Sequence, residues 1–233
     1  MSVQLATART SKARPDSLAE LIYAQLKADI FDFRLLPGDR FSEGDVATRM
    51  HASRTPVRQA LYRLEKEGYL EVYFRSGWQV KPFDFAYFED LYDVRIVLEL
   101  AAVGRLCLMD EPSPVLLTLQ ATWLVAAGER LQDTQAVSAL DERFHCALVE
   151  AAGNREMARM HFDITEKIRI IRRLDFTQAP RIAATYEEHG QILTAILQRR
   201  SEQAQQLLKR HIELSKQAVR EITLHRLHVA RQP

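Results

Sequence analysis

The stretch Ser53-Arg54-Thr55-Pro56-Val57-Arg58-Gln59-Ala60-Leu61 reads as the opening of a helix. Ser53 is a capping residue type, and Pro56 is tolerated because it falls in the first turn, where its missing N–H leaves no bond unmade. Val57, Ala60, Leu61 and Leu64 recur at helical spacing, and Gly68 is a natural stop. Arg54 and Arg58 stand one turn apart and share a face. No acidic residue occurs between Val46 and Leu64, while Arg49, His51 and Arg63 add positive charge. A helix N-terminus with hydroxyls at Ser53 and Thr55 suits a phosphate, and arginines suit guanine edges in a major groove. An isolated pair of arginines at this spacing would be a solvated face; what surrounds it decides.

Upstream, Asp16-Ser17 followed by Leu18, Leu21, Ile22, Leu26 and Ile30 predicts a first helix. Leu36-Pro37-Gly38-Asp39 is a turn, and a second short helix spans roughly Ser42 to Met50. Downstream, Tyr69 to Phe74 reads as a strand, Arg75-Ser76-Gly77 as a turn and Trp78-Gln79-Val80 as a returning strand, with Pro82 after it. Three helices and a hairpin predict a winged helix-turn-helix unit over residues 16–82, after a disordered arm at 1–15. Ser53, Arg54, Thr55, Pro56, Arg58 and Arg49 are then expected at double-stranded DNA, with Arg75 and Gly77 at the wing tip beside the minor groove. Residues 83–233 read as helical throughout. The predicted segments are 84–108, 112–131, 133–152, 154–177, 179–198 and 201–229. The fold class is mainly α, the second half an antiparallel bundle of about six helices.

The bulk numbers agree with two small domains in 233 residues, 47% of them hydrophobic and 27% charged. Net charge is only +1, yet residues 1–82 hold 13 Lys and Arg against 10 Asp and Glu, which puts the basic surface at the N-terminal end. Cys107 and Cys146 fall inside helical patterns and are expected to be buried thiols in a reducing cytoplasm. The polar start excludes a classical secretory signal, and no apolar run is long enough for a membrane span.

In the second half, Asp141 and His145 are four apart on one helix, and His189 and His211 sit within two others. One carboxylate and three imidazoles can converge in a bundle to hold a divalent transition metal. Separately, each element has a plainer reading, as a surface ion pair or an ordinary histidine. His161, His225 and His228 are read that way. Glu142, Glu187 and Glu188 adjoin the set in sequence, but neighbours on a helix point elsewhere. Arg95 lies beside the apolar stripe of its helix and needs an anionic partner, either Glu99 one turn on or the carboxylate of a bound effector. Arg169, Arg172 and Arg173 are further candidate cations.

Leu36-Pro37-Gly38-Asp39-Arg40-Phe41-Ser42-Glu43, the Ser53–Leu61 stretch, and Leu64-Glu65-Lys66-Glu67-Gly68-Tyr69-Leu70 together resemble the DNA-binding domain of the GntR family of bacterial regulators. Two positions depart from that pattern. Gly44 stands where the family often has an arginine, and Asp32-Phe33-Arg34 where it usually has a glycine after the first helix. Asp141 to Leu148, Ala151 to Asn154, Glu188-His189 and Leu207 to Ile212 resemble the FCD effector domain of the FadR-type branch. In its metal-containing members the positions matching Asp141, His145, His189 and His211 are the ligands, typically of zinc, sometimes of nickel or another ion. The resemblance implies a homodimer on a pseudo-palindromic operator and a small carboxylate-bearing effector. The expected outcome is a repressor that its effector releases. A metalloenzyme fits less well, because no further base is positioned beside the candidate ligands and the DNA-reading half would have no purpose.

Overall fold

The computed structural model describes residues 18–73, 77–172 and 179–230, and the chain divides into two compact units at Phe83/Asp84. The first unit holds α1 (Leu18–Phe31), β1 (Arg40–Ser42), α2 (Glu43–Arg49), α3 (Arg54–Lys66), β2 (Leu70–Tyr73) and β3 (Gly77–Val80). Ile22, Leu26 and Ile30 of α1 pack with Val57, Leu61 and Leu64 of α3, all but excluded from solvent. That apolar seam fixes α3 and leaves its opposite face to solvent.

The turn at Leu36–Asp39 is pinned to the sheet. Gly38 adopts φ +92°, and its N–H donates to the Val80 carbonyl at 2.8 Å, while the Val80 N–H donates to the Asp39 carbonyl at 2.9 Å. A left-handed backbone of this kind favours glycine. Phe33 adopts the same region at φ 58° without being glycine. The strain is held by packing, since its ring meets Phe83 edge-on at 6.1 Å. α2 begins with a reciprocal cap: Ser42 Oγ accepts from the Asp45 N–H at 3.2 Å, and the Ser42 N–H donates to the Asp45 carboxylate at 2.8 Å.

The expected hairpin is present as β2 and β3, and β1 joins it to give a three-stranded sheet in the order β1-β3-β2, with Phe41 and Val72 both opposite Trp78. Three residues of β1 are too few for an alternating pattern to stand out. Gly77 begins β3 rather than lying in the turn, opposite Tyr73 and Ser42. Phe74, Arg75 and Ser76, like Asp16 and Ser17, lie outside the described residues.

The second unit comprises α4 (Phe85–Leu108), α5 (Pro114–Trp123), α6 (Thr134–Ala151), α7 (Arg155–Arg172), α8 (Ala179–Leu197) and α9 (Ser201–Ala230). Among the described residues these match the six expected segments with one difference in length, and positions 173–177 of the fourth segment lie outside the described residues. The segment predicted over 112–131 stops at Trp123, and only a single 3₁₀ turn follows at Ala127–Glu129. Tertiary contacts override local propensity there. The Leu131 N–H donates to the Tyr186 hydroxyl at 3.2 Å and Arg130 pairs with Glu187 at 2.6 Å, so the chain leaves its helix to lie along α8. Cys107 is buried as expected, whereas Cys146 is only half-buried; neither is in a disulfide. No described helix is long and apolar enough to cross a membrane.

Candidate nucleic-acid interface and candidate metal centre

At the start of α3, Ser53, Arg54, Thr55, Arg58 and Gln59 are all exposed, and Pro56 is partly so. Ser53 occupies the cap position, yet its side chain makes no capping bond. Its hydroxyl and the first N–H groups of the helix are therefore available to a phosphate. The remaining arginines differ among themselves. Arg49 pairs with the buried Asp29 of α1 at 2.9 Å. Arg63 is bound to Glu20 at 2.7 Å and Glu67 at 3.2 Å and lies over the Tyr23 ring, which makes it a strut between α1 and α3 rather than part of the basic face. Arg58 is held by Glu43, which lies outside the acid-free window of the sequence. Gly44 has room for a side chain, since an added Cβ would meet nothing nearer than Ser42 Oγ at 3.4 Å.

In the second unit the four expected residues come together. Asp141 and His145 on α6, His189 on α8 and His211 on α9 are all buried, and one ligand atom from each lies within 4.8 Å of the others. Nε2 of His211 stands 3.2 Å from Nε2 of His145 and 3.3 Å from Nε2 of His189. Asp141 Oδ1 is 3.3 Å from His189 Nε2, 3.6 Å from His145 Nε2 and 4.0 Å from His211 Nε2. A tetrahedral ion with bonds of about 2.1 Å separates its ligand atoms by roughly 3.4 Å, so these spacings bracket a metal polyhedron.

The far sides of the rings explain the tautomers. His145 Nδ1 donates to Glu99 at 2.6 Å, and His211 Nδ1 donates to Glu188 at 2.6 Å. Their Nε2 atoms must then present lone pairs inward, toward each other and toward a carboxylate. Such an arrangement repels itself unless a cation lies between. The His189 ring stacks on Phe144 at 3.7 Å and meets Trp123 at 4.2 Å, and its Nδ1 is buried without a hydrogen-bond partner.

Protonation states agree with ligation. Burial drives His189 well below the ordinary imidazole value and lowers His211 to about 4, against the pull of their carboxylate partners. Burial works to raise Asp141, but the charge of Arg172 beside it holds it well below the usual carboxylate range. Glu99 is likewise held low, by Arg95, His145 and His161 against burial. Neutral imidazoles and an ionised carboxylate are what a metal needs.

Around this set lies a layer that sequence reasoning placed only in part. Arg95 is buried and its Nε donates to Glu99 at 2.6 Å, the helical pair that its spacing allowed. Arg172 donates to the second oxygen of Asp141. His161 is no ordinary histidine: it is fully buried and its Nε2 lies 2.9 Å from Glu99. Glu188 also corrects the expectation for its neighbours, since it reaches the His211 ring across the helix interface and pairs with Arg181 at 2.9 Å. Glu142 and Glu187 do point elsewhere, to Arg169 and Arg130. Arg173 lies outside the described residues. Arg95 Nη2, Arg172 Nη1, His161 Nδ1 and Thr165 Oγ1 are all buried with no hydrogen-bond partner. Buried polar atoms are seldom left unpaired, and these four belong to the neighbouring helices α4 and α7.

Comparison with known proteins gives matches to both units. The family model for bacterial regulatory proteins of the gntR family matches residues 18–80, and that for the FCD domain matches residues 90–214. The chain is 31% identical over 187 residues to the Nta operon transcriptional regulator of Aminobacter aminovorans, covering 78% of this chain and 84% of that one. Among solved structures, the Lar protein of Listeria monocytogenes, which controls expression of the agr system, superposes with a TM-score of 0.68 at 18% identity, over 90% of this chain and 99% of that one. A GntR transcriptional regulator from Rhodococcus sp. RHA1 gives 0.62 at 24% identity, over 87% and 97%.

Proposed function

The chain belongs to the GntR family and carries its FCD domain, which makes it a DNA-binding transcriptional regulator and not an enzyme, and from that premise we propose that it is a repressor released by a small organic acid. The acid binds in the helical bundle, at or beside a divalent transition metal held by Asp141, His145, His189 and His211. The observation that carries this reading is the pairing of two unmet demands in one core. The ring nitrogens of three histidines and a carboxylate converge on one point and want a cation, while Arg95 Nη2 and Arg172 Nη1 want an anion.

When bound, the metal supplies a positive centre for an oxygen of the ligand; the donor set suits zinc, and also nickel. The chain's own residues do the rest. Glu99 and Glu188 orient two of the rings, Arg172 holds Asp141, and the spare guanidinium donors of Arg95 and Arg172 take a carboxylate. Trp123 and Phe144, packed against the His189 ring, cover that side of the site with apolar surface. On the first unit, Ser53, Arg54, Thr55, Pro56 and Arg58 form the reading face for a pseudo-palindromic operator, joined by Arg49, Arg75 and Gly77 at its margins.

The protein acts as a cytoplasmic homodimer on this reading. Val94, Val97, Ala101 and Leu108 are exposed at spacings that put them along one side of α4, a stripe suited to a second copy. Effector binding shifts the bundle helices, and the short linker at Pro82-Phe83 passes the change to the spacing of the two reading helices. This requires an effector that prefers one dimer geometry. Elemental analysis of the purified protein, with mass spectrometry of what co-purifies, tests the proposal. A stoichiometric transition metal and a carboxylic acid are expected; protein that carries neither, and takes up neither, overturns it.

A further inference from the structure

The carboxylate of Glu43 sits under the reading helix in a position that no DNA contact explains. Glu43 is the first residue of α2, and its side chain is only 15% exposed. Arg58 Nε donates to its Oε1 at 3.0 Å and Arg58 Nη2 to its Oε2 at 2.9 Å. Trp78 and Arg54 lie close enough to help hold the same carboxylate in its charged form. Trp78 is itself buried in β3, stands opposite β1 and β2, and meets the Tyr62 ring edge-on at 5.4 Å. Glu43 thus ties α2 to α3 through one side chain beside the wing sheet.

A guanidinium has two edges that can each make paired hydrogen bonds. The side edge, Nε with Nη2, is the one Glu43 occupies. The end edge, Nη1 with Nη2, still carries hydrogens and points away from the carboxylate; it is an edge that can match O6 and N7 of guanine. Arg58 itself is more than half exposed, so its end edge is accessible. A carboxylate in this position has two effects. It restricts a flexible side chain to one orientation before DNA arrives, which lowers the entropy lost on reading a base. It also cancels a charge that would otherwise attract any phosphate.

We propose that Glu43 is the positioning residue of the DNA-reading face: it grips Arg58 by its side edge, aims the end edge at a base, and withholds the Arg58 charge from non-specific DNA. The proposal rests on the DNA-binding role that the family match establishes, and it assigns Glu43 an effect on specificity rather than on affinity alone. Arg49 and Arg63 are also paired with carboxylates, but to Asp29 and Glu20, which fasten them to α1.

The test uses the full chain, an operator duplex selected from a random pool with the unaltered protein, and a scrambled duplex of the same length, titrated over a salt series. With Glu43→Gln, affinity for the scrambled duplex rises, and its salt dependence steepens by about 0.9 in log–log slope as one more cation becomes available to phosphate. The ratio of operator to scrambled affinity falls roughly fivefold or more, the lower end of what a paired arginine–guanine contact is worth. In an Arg58→Ala background the same substitution changes neither slope nor ratio. An unchanged slope and ratio in the first case, or an equal effect in the second, overturns the proposal. If thermal melts show Glu43→Gln to be unfolded, Glu43→Asp takes its place: it keeps the charge but shortens the arm, so the ratio falls while the slope stays. An Asp variant with an unaltered ratio overturns the proposal equally.

Discussion

Glu99 accepts a hydrogen bond from Nδ1 of His145 at 2.6 Å, although 46 residues separate them, and this contact decides which face of the ring looks into the metal centre. Glu99 also meets Arg95 and His161, so one buried carboxylate serves three partners. Glu99→Gln keeps the shape and removes the charge. Metal affinity is expected to fall about 10- to 100-fold, the usual cost of losing such a partner. Stability is expected to fall by about 3 kcal/mol or more as Arg95 is left buried and uncompensated. A competition titration against a chromophoric chelator and a thermal melt read the two effects; wild-type affinity in the variant ends the assigned role.

Removing His189 and His211 together should leave no metal in the purified protein, because two of four donors and the converging lone pairs are gone. Full occupancy in the His189→Ala, His211→Ala double variant would end the site hypothesis. Chelation of the unaltered protein is expected to lower the melting temperature but preserve the helical circular dichroism. Val137, Phe144, Leu148, Leu193, Leu208 and Ile212 are fully buried and need no ion to pack. Loss of the helical signal on chelation would instead assign the metal a purely structural role.

The two spare guanidinium donors can be tested apart from the metal. Arg172→Lys retains a cation that can reach Asp141 but gives up the planar fork. Metal content should stay at the wild-type level, while affinity for the organic acid recovered from the protein drops tenfold or more, measured by calorimetry. Unchanged acid binding in both Arg172→Lys and Arg95→Lys would show that the acid lies elsewhere.

On the DNA face, Arg58→Ala should weaken operator binding by roughly 1–3 kcal/mol at moderate salt and relax the preference at one base position. Equal affinity of the variant and the parent sinks its role.

Gly44→Arg restores the residue type that related regulators often carry at this place. The backbone there is ordinary helix and the nearest atom to an added Cβ is Ser42 Oγ at 3.4 Å. The substitution should not destabilise α2, since arginine is the better helix former by about 0.8 kcal/mol. Operator affinity should rise and its salt dependence steepen by about one counterion. An unaltered salt slope would place residue 44 away from the phosphates.

Much of this was legible in the chain because the signals are local. Helices α1 to α3 announce themselves through apolar spacing, the Pro37-Gly38 turn and the Gly68 stop, and the bundle through Pro114 and Gly153. The four candidate ligands were singled out by the resemblance to the FCD domain, since spacing alone showed only that Asp141 and His145 share a face. What stayed hidden depends on distance in sequence. Glu99, Arg172 and Glu188 are ordinary charged residues until the fold carries them to a particular ring nitrogen or carboxylate oxygen. His161 reads like any other histidine for the same reason. Glu43 lies three residues before the acid-free window that begins at Val46, and its tie to Arg58, 15 residues on, shows only in the fold. β1 is simply too short to be seen, and α5 is cut short by contacts with α8 that no local pattern encodes.

The chain has two tryptophans, and their positions give it an optical property of its own. Trp78 lies beside the carboxylate that grips Arg58, while Trp123 lies 4.2 Å from the His189 ring. Each unit therefore carries one native fluorophore beside its working residues. With Trp78 or Trp123 exchanged for phenylalanine, the emission of the other reports on a single unit. Adding metal or an acid while watching Trp78 alone, or duplex while watching Trp123 alone, would measure the communication between the two units directly, with no label attached.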